Sequence, residues 1–174
     1  MLILVSGGAA SGKSEYAEKL AVETAAEPLI YAATMEVWSE EDRLRVARHR
    51  ALRRGKGFQT VEAPRRLFEA AVPEGGTALL ECLSNLCANE CFGPEGFPGA
   101  KERILRGIDH LLERCAHVVI VTNELFSDGM SYPPETEAYL SLLADLNRDL
   151  AARADRVYEV CCGIPVGITC KMQN

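Results

Sequence analysis

The sequence lacks an excess of basic residues, a long apolar run and a secretory signal. Its 174 residues carry a formal net charge of −6, which argues against a nucleic-acid-binding surface and predicts no nucleic-acid partner. The apolar run at residues 1–6 is far too short for a signal peptide or a membrane-spanning helix, so no membrane span is expected. Seven cysteines, an odd number, without a secretory signal favour reduced thiols in a cytoplasmic protein.

Internal repeats, low-complexity segments and linkers are also missing, which predicts a single nucleotide-binding domain over residues 1–174. Cys82, Cys87 and Cys91 do not have the C-x-x-C spacing of a metal site, and no histidine lies near them. They are therefore interpreted as small buried residues of the core rather than as metal ligands.

One stretch, Gly7–Ser14, fits the phosphate-binding loop pattern G-x-x-x-x-G-K-[ST] at every fixed position. Residues 1–6 before it resemble a buried strand, and residues 14–22 after it have apolar side chains at helical spacing. This order suits phosphate binding, because backbone N–H groups of the loop and the helix N-terminus then face the ligand. Lys13 is predicted to reach the β- and γ-phosphates, and the Ser14 hydroxyl is predicted to hold Mg²⁺. The predicted nucleotide-binding residues of the loop are Gly7, Gly8, Ala9, Ala10, Ser11, Gly12, Lys13 and Ser14.

Strands and helices alternate along the rest of the chain, which predicts an α/β fold with a largely parallel sheet and helices on both faces. The further predicted strands are 28–33, 58–62, 77–82, 117–124, 156–161 and 166–170, the last two joined by a turn at 163–165. The further predicted helices are 39–54, 64–71, 84–90, 101–114 and 135–153.

Carboxylates stand at the ends of two buried strands, Glu81 after one and Glu124 after another. Phosphate-loop enzymes use an acid at such a position to hold Mg²⁺ or its water shell. Both residues are candidates, and spacing does not choose between them. The predicted metal ligands are Ser14 and Glu124, with Glu81 as the open alternative.

An arginine-rich helix begins at Ser39, which is a plausible N-cap with an acid three residues further on. Leu44, Ala47 and Ala51 mark one apolar face, and arginines occupy much of the remainder. His49 stands among these arginines, where an anionic ligand could bind. A solvated basic face is the alternative that the spacing by itself favours.

Motifs along nearly the whole chain resemble, in order, those of the bifunctional adenosylcobinamide kinase / adenosylcobinamide-phosphate guanylyltransferase family of cobalamin biosynthesis. The specific combination is Arg45-x-x-x-His49 on the helix with Asn123 and Glu124 at a strand end. The other matching segments are 7–14, 31–34, 60–64, 79–83, 147–155 and 163–165 with Lys171.

The resemblance implies a P-loop NTPase of the RecA-like branch that assembles as a homotrimer. It implies that a nucleoside triphosphate, ATP or GTP, phosphorylates the aminopropanol hydroxyl of adenosylcobinamide. GMP is then transferred from GTP to adenosylcobinamide phosphate. The implied cofactors are GTP, ATP and Mg²⁺, and the implied catalytic residues are Lys13 and His49, the latter carrying GMP as a phosphoramidate.

The same resemblance implies further nucleotide contacts on the second strand and on the arginine-rich helix. For Thr34, Met35 and Glu36, the alternative interpretation is an ordinary loop at the end of the second strand, without a ligand contact. Glu62 and Glu81 resemble contacts to guanine and ribose. The implied contacts are Thr34, Met35, Glu36, Arg50, Ala51, Leu52, Arg53, Glu62 and Glu81.

Two other functions are compatible with the phosphate loop. One is a kinase of another small molecule, in which His49 is structural. The other is a nucleotide-binding switch without transfer chemistry. A covalent GMP adduct on the protein distinguishes the first interpretation from both.

Overall fold

The structure is a computed structural model that describes residues 1–37, 39–127 and 129–168, without the side chains at positions 45, 48, 49 and 52. The side chains of His49 and Leu52, and the residues Cys170 and Lys171, therefore lie outside the described part of the chain. The strands of this part are β1 (Leu2–Ser6), β2 (Leu29–Ala33), β3 (Phe58–Glu62), β4 (Thr77–Glu81), β5 (His117–Val121), β6 (Arg156–Cys161) and β7 (Ile164–Gly167). Its helices are α1 (Lys13–Glu23), α2 (Glu40–Arg53), α3 (Leu83–Phe92), α4 (Ala100–Arg114) and α5 (Pro134–Arg153).

The strands form one seven-stranded sheet in the order β3-β2-β4-β5-β1-β6-β7. Every neighbouring pair is parallel except β6 and β7. After β1 the chain crosses over β5 and β4 to reach β2, and later strands fill the gap. The carboxyl ends of the parallel strands therefore meet at one edge, where α/β sheets bind their ligands.

Both faces of the sheet are covered, as predicted, because successive residues of a buried strand point to opposite sides. Ile3 and Val5 of β1 pack with Ala17 of α1 on one face. Leu4 of β1 packs on the other face, in the cluster that includes Ile104 of α4 and also residues of α3 and α5. The two clusters hold β1 and the phosphate loop that follows it at the centre of the fold.

The start of α2 is as predicted, but its apolar face is not buried. Ser39 caps the helix by accepting from the Asp42 N–H at 3.1 Å, and Asp42 accepts from the Ser39 N–H at 3.1 Å. Leu44 is 66% exposed, and Ala47 and Ala51 are also exposed. Helical spacing predicts which residues share a face and not what covers that face, so only the tertiary structure shows that these three residues are exposed.

The helix predicted from Pro64 to Ala71 is reduced to a single 3₁₀ turn at Leu67–Glu69. Arg66 has a φ of +50°, a left-handed conformation that no α-helix contains. Its N–H donates to the buried Glu90 carboxylate at 2.7 Å. A tertiary contact thus overrides the local preference for a helix.

The last strand begins earlier than predicted. Cys162 and Gly163 make the turn from β6 to β7, with φ values of +52° and +78°. Ile164 and Pro165 therefore belong to the strand and not to the turn. Proline is tolerated there because β7 is the edge of the sheet. No helix in the described part of the chain is long and apolar enough to cross a membrane.

Candidate active site

The phosphate loop lies between β1 and α1, as predicted, and its backbone is tightly folded. Gly12 has a φ of +91°. A Cβ at Gly7 would approach Ser11 Oγ to 2.6 Å, so glycine is required for this close packing. Lys13 is buried, and its Nζ donates to the Gly8 carbonyl at 3.0 Å. The amine is therefore already held over the loop that a phosphate would enter.

The first turn of α1 is joined to the end of β4. Ser14 Oγ donates a hydrogen bond to Glu81 Oε1 at 2.6 Å. The other oxygen, Glu81 Oε2, is buried and has no hydrogen-bond partner among the described residues. Burial raises the pKa of Glu81 to about 7, against the Ser14 hydrogen bond and the charge of Lys13, which lower it.

The Ser14 hydroxyl and the Glu81 carboxylate, which has one oxygen without a hydrogen bond, are oxygen ligands of the kind that Mg²⁺ prefers. In the described part of the chain no group of three or more His, Cys, Asp or Glu side chains could hold a metal ion alone. Mg²⁺ is usually bound by one or two carboxylates together with substrate phosphates, so one hydroxyl and one carboxylate are enough protein ligands for it. Ser14 and Glu81 are thus the residues that fit the ion.

A buried arginine, Arg53 of α2, lines the same cavity as the phosphate loop. The Arg53 guanidinium lies 3.3 Å from the centroid of the Tyr31 ring. Arg53 is only 7% exposed, and its Nη1 has no hydrogen-bond partner among the described residues. A buried guanidinium with an unpaired N–H donor can bind an anion. The stacked Tyr31 ring restricts the position of this guanidinium.

A cleft of about 640 Å³ separates the phosphate loop from α2. Val46, Arg50 and Arg53 of α2 all line it. Positions three or four apart on a helix share a face, so the backbone position of His49 falls on the same face as these residues. The predicted site residues that line the cleft are Ala9, Ala10, Ser11, Gly12, Lys13, Ser14, Met35, Arg50, Arg53, Glu62 and Glu81.

The rim of the cleft carries an exposed ion pair. Arg50 Nη2 donates to Glu62 Oε1 at 3.1 Å, and both side chains are more than half exposed. Such a pair contributes little to stability and exchanges readily with a ligand. Glu62 is therefore accessible to a base or sugar bound in the cleft, whereas Glu81 is buried against Ser14.

Other predicted contacts do not face the cleft. Thr34 is fully buried, where its Oγ1 donates to the Cys82 carbonyl at 2.9 Å and accepts from the Cys82 N–H at 2.7 Å. Glu36 forms an ion pair with Arg65 at 3.1 Å. Ala51 is exposed on α2 outside the cleft. Thr34 and Glu36 thus have partners within the protein, and none of these three side chains lines the cleft.

The predicted metal ligand Glu124 also has other partners. Its Oε1 accepts from the Phe126 N–H and the Ser127 hydroxyl, each at 2.9 Å. The carboxylate therefore closes its own loop, and it does not line the cleft. The strand order brings Glu81 to Ser14 in its place, and the alternative that spacing left open is the one with geometric support.

Sequence reasoning assigned no site role to eight residues that line the cleft, which are Glu15, Tyr31, Ala33, Val46, Cys82, Asn85, Asn123 and Leu125. Asn123 follows β5, and its Nδ2 donates to Ser84 Oγ at 2.5 Å. A polar residue at the carboxyl end of a buried strand is a signal that could have found Asn123. Tyr31 and Asn85 carry no such signal, because only the packing of β2 and α3 brings them to the cleft.

Comparison with known proteins identifies the family of this chain. The family model for cobinamide kinase / cobinamide phosphate guanyltransferase matches residues 3–168. The bifunctional adenosylcobalamin biosynthesis protein CobU of Escherichia coli (strain K12) is 33% identical over 186 aligned residues, covering 97% of this chain and 99% of the relative. The protein of the same name from Salmonella typhimurium is 35% identical, again covering 97% of this chain and 99% of the relative.

Solved structures resemble the chain in fold. One solved ATPase domain superposes with a TM-score of 0.53 at 10% identity, covering 91% of this chain and 68% of that chain. This likeness confirms the RecA-like P-loop fold and nothing about the substrate. The family model and the near-full-length relatives together show that the chain belongs to the cobinamide kinase / cobinamide phosphate guanyltransferase family.

Proposed function

We propose that this chain is a transferase that performs both reactions of its family at one nucleotide site. It phosphorylates adenosylcobinamide and then transfers GMP from GTP to the resulting phosphate. One observation carries the proposal: the phosphate loop, Glu81 and the arginine face of α2 line a single cleft. The backbone position of His49 on that same helix face supports its role as the GMP acceptor.

In the kinase step, the substrate hydroxyl oxygen bonds to the γ-phosphorus, and the bond from that phosphorus to the β-bridging oxygen breaks. The nucleoside diphosphate leaves, and the hydroxyl proton passes to solvent or to a nearby base. Lys13 and the N–H groups of the loop neutralise the charge on the phosphate oxygens. Ser14 and Glu81 would hold Mg²⁺, which neutralises phosphate charge further when it is bound.

In the guanylyl step, a neutral ring nitrogen of His49 attacks the α-phosphorus of GTP. A P–N bond forms, the bond to the β-phosphate oxygen breaks, and pyrophosphate leaves. A phosphate oxygen of adenosylcobinamide phosphate then attacks the same phosphorus and releases the imidazole. Arg50 and Arg53, on the same face of α2, are placed to neutralise the α-phosphate during both displacements.

The preference for GTP is assigned to Glu62. Its carboxylate is exposed at the rim, and only the exposed Arg50 pairs with it in the described structure. A carboxylate there can accept from the N1–H and the 2-amino group of guanine, which adenine does not present. Glu81 is engaged with Ser14, so we assign it to the metal rather than to the base.

The proposed assembly is a cytoplasmic homotrimer without a nucleic-acid partner. The family resemblance supports the trimer, and the net charge of −6 supports the absence of a nucleic-acid surface. Sedimentation equilibrium of the purified protein should give the mass of three chains. A single-chain mass across the accessible concentration range would contradict the trimer.

The covalent step provides the direct test. The protein is incubated with Mg²⁺ and GTP labelled at the α-phosphate, and its intact mass is measured. We expect a gain of one GMP per chain and the release of pyrophosphate. Addition of adenosylcobinamide phosphate should then remove the label. Protein that binds GTP but never gains the mass would be a kinase or a binding module and not a guanylyltransferase.

A further inference from the structure

Two adjacent exposed cysteines stand where β6 ends and the turn to β7 begins, Cys161 as the last residue of β6 and Cys162 as the first of the turn. Their sulfur atoms lie 4.0 Å apart. The other four cysteines of the described residues are buried. Within that part of the chain, this pair is the one that a dissolved thiol reagent can reach.

The backbone of this turn is unusual for the residue that occupies it. Two residues connect the strands, and both have positive φ, +52° at Cys162 and +78° at Gly163. This is the pattern of a type I′ turn, whose first position favours Asn, Asp or Gly. A side chain at φ above zero is held there against its own preference, which is a common property of functional positions.

The same turn supports the phosphate loop through backbone contacts. The Gly163 N–H donates to the Ser11 carbonyl at 2.8 Å. A Cβ at Gly12 would lie 3.3 Å from the Gly163 Cα, so the two backbones are nearly in contact. A movement of the turn therefore changes the surroundings of the loop that holds the phosphates.

We propose that Cys161 and Cys162 form a dithiol modification site through which a small disulfide lowers nucleotide binding. One protein thiolate attacks the small disulfide and releases one thiol. The second attacks the resulting mixed disulfide and releases the other thiol. The two protein thiols are oxidised to one vicinal disulfide, and the small disulfide is reduced to two thiols. The regulatory consequence rests on the proposed nucleotide site.

A disulfide between adjacent residues strains the backbone, and this strain is the proposed cause of the weaker nucleotide binding. Neighbouring Cα atoms are about 3.8 Å apart across a trans peptide. An ordinary disulfide joins Cα atoms roughly 4.4–6.8 Å apart, which neighbouring residues cannot reach, so a bridge between them closes a small strained ring and changes the backbone dihedral angles of the turn. Gly163 is the next residue, so a change in the turn directly affects its hydrogen bond to the Ser11 carbonyl. A strained and exposed disulfide is also readily reduced, which makes the modification reversible.

The experiment uses the full chain with Cys170→Ser, which removes the cysteine outside the described residues. Oxidised glutathione is the oxidant, and dithiothreitol is the reductant. Intact mass and peptide mapping identify the bond, and titration with a fluorescent GTP analogue measures affinity. We expect the loss of two hydrogens at Cys161 and Cys162, about tenfold weaker binding from the loss of a loop contact, and recovery on reduction.

Two further variants serve as controls in the same background. Cys162→Asn keeps a residue that the turn favours, and Cys161→Ser keeps the size of the side chain. Both should bind the analogue normally and lose the response to oxidised glutathione. A bridged protein with unchanged affinity, a retained glutathione adduct without a bridge, or a bond mapped elsewhere overturns the inference. Reduced protein that does not bind GTP would overturn the proposed function itself.

Discussion

Ser14 Oγ lies 2.6 Å from Glu81 Oε1, although 67 residues separate the two in the chain. Ser14 lies in the first turn of α1, which follows β1, and Glu81 ends β4, with β5 between these strands. The buried carboxyl uses one oxygen for this contact, and its other oxygen has no partner among the described residues. The cleft therefore contains a carboxylate oxygen that is free to take a partner from a ligand.

Replacing Glu81 by glutamine should stabilise the protein in the absence of metal, but only at higher pH. Burial raises the folded pKa of Glu81 from 4.5 to about 7, so the folded protein binds more protons between these values. Stability therefore falls as pH rises through this window, and the penalty is complete above it. At pH 8 in EDTA, Glu81→Gln should raise the unfolding free energy by up to about 3 kcal/mol, with no gain below pH 4.5.

Denaturant unfolding at several pH values measures this difference. The exposed Glu102 supplies the matched control, and Glu102→Gln should leave the pH dependence unchanged. An equal gain for Glu81→Gln at every pH would show that its charge is not the cause.

Substitutions of the two candidate metal ligands, Glu81 and Glu124, should have different effects on the Mg²⁺ dependence of the kinase reaction. Glu81→Gln should raise the Mg²⁺ concentration needed for kinase activity by about tenfold or more, because a carboxylate ligand is lost. Glu124→Gln should leave that concentration close to the wild-type value, since Glu124 bonds to its own loop. Kinase assays over a Mg²⁺ series decide between them. The reverse pattern would restore the assignment to Glu124.

Lys13→Ala should impair both reactions if, as proposed, both begin from a triphosphate held in the phosphate loop. Loss of its charge-assisted phosphate contact should lower each rate by on the order of a hundredfold or more. Lys19, an exposed lysine on the same helix paired with Glu23, provides the control Lys19→Ala. Kinase turnover and GMP transfer are assayed separately. A near-normal rate in either assay would mean that this reaction does not use the loop as proposed.

Glu62 should determine the choice of base. Glu62→Gln removes a carboxylate that can accept two donors of guanine, and should cost roughly 1–3 kcal/mol of discrimination between GTP and ATP. The ratio of kcat/KM for the two nucleotides in adduct formation gives the value. Glu69→Gln is a suitable control, since Glu69 is an acid outside the cleft that pairs with Arg66. Full GTP selectivity in Glu62→Gln would leave the base contact to another residue.

His49→Asn should separate the two activities genetically. In the proposed guanylyl step GMP passes through a covalent bond to His49, so the acid-labile, base-stable GMP adduct and the transfer should both disappear. Phosphorylation of adenosylcobinamide should continue, because positioning and charge neutralisation suffice for phosphoryl transfer. His110→Asn and His117→Asn are the controls, as His110 contacts the Ala70 carbonyl at 3.0 Å and His117 begins β5. If labelling survives in His49→Asn but is lost in His110→Asn, the nucleophile is His110 and not His49.

The phosphate loop was predictable because its function depends on consecutive residues. Gly7, Gly12, Lys13 and Ser14 stand in a fixed local pattern, and a strand and a helix flank them. The alternation of strands and helices likewise predicted the parallel sheet. Where the prediction failed, at Pro64–Ala71, the contact between the Arg66 N–H and the Glu90 carboxylate decided the outcome.

The sequence by itself determined the fold class, the phosphate loop and the family, since each follows from local patterns or from motifs in order. The tertiary structure alone decided that Glu81 and not Glu124 meets Ser14, and that Arg53 stacks on Tyr31 beside the cleft. It also placed the Cys161–Cys162 turn against the loop. The physical reason is strand order: hydrophobic burial selects which strands become neighbours, and residues far apart in the chain then meet at one edge of the sheet.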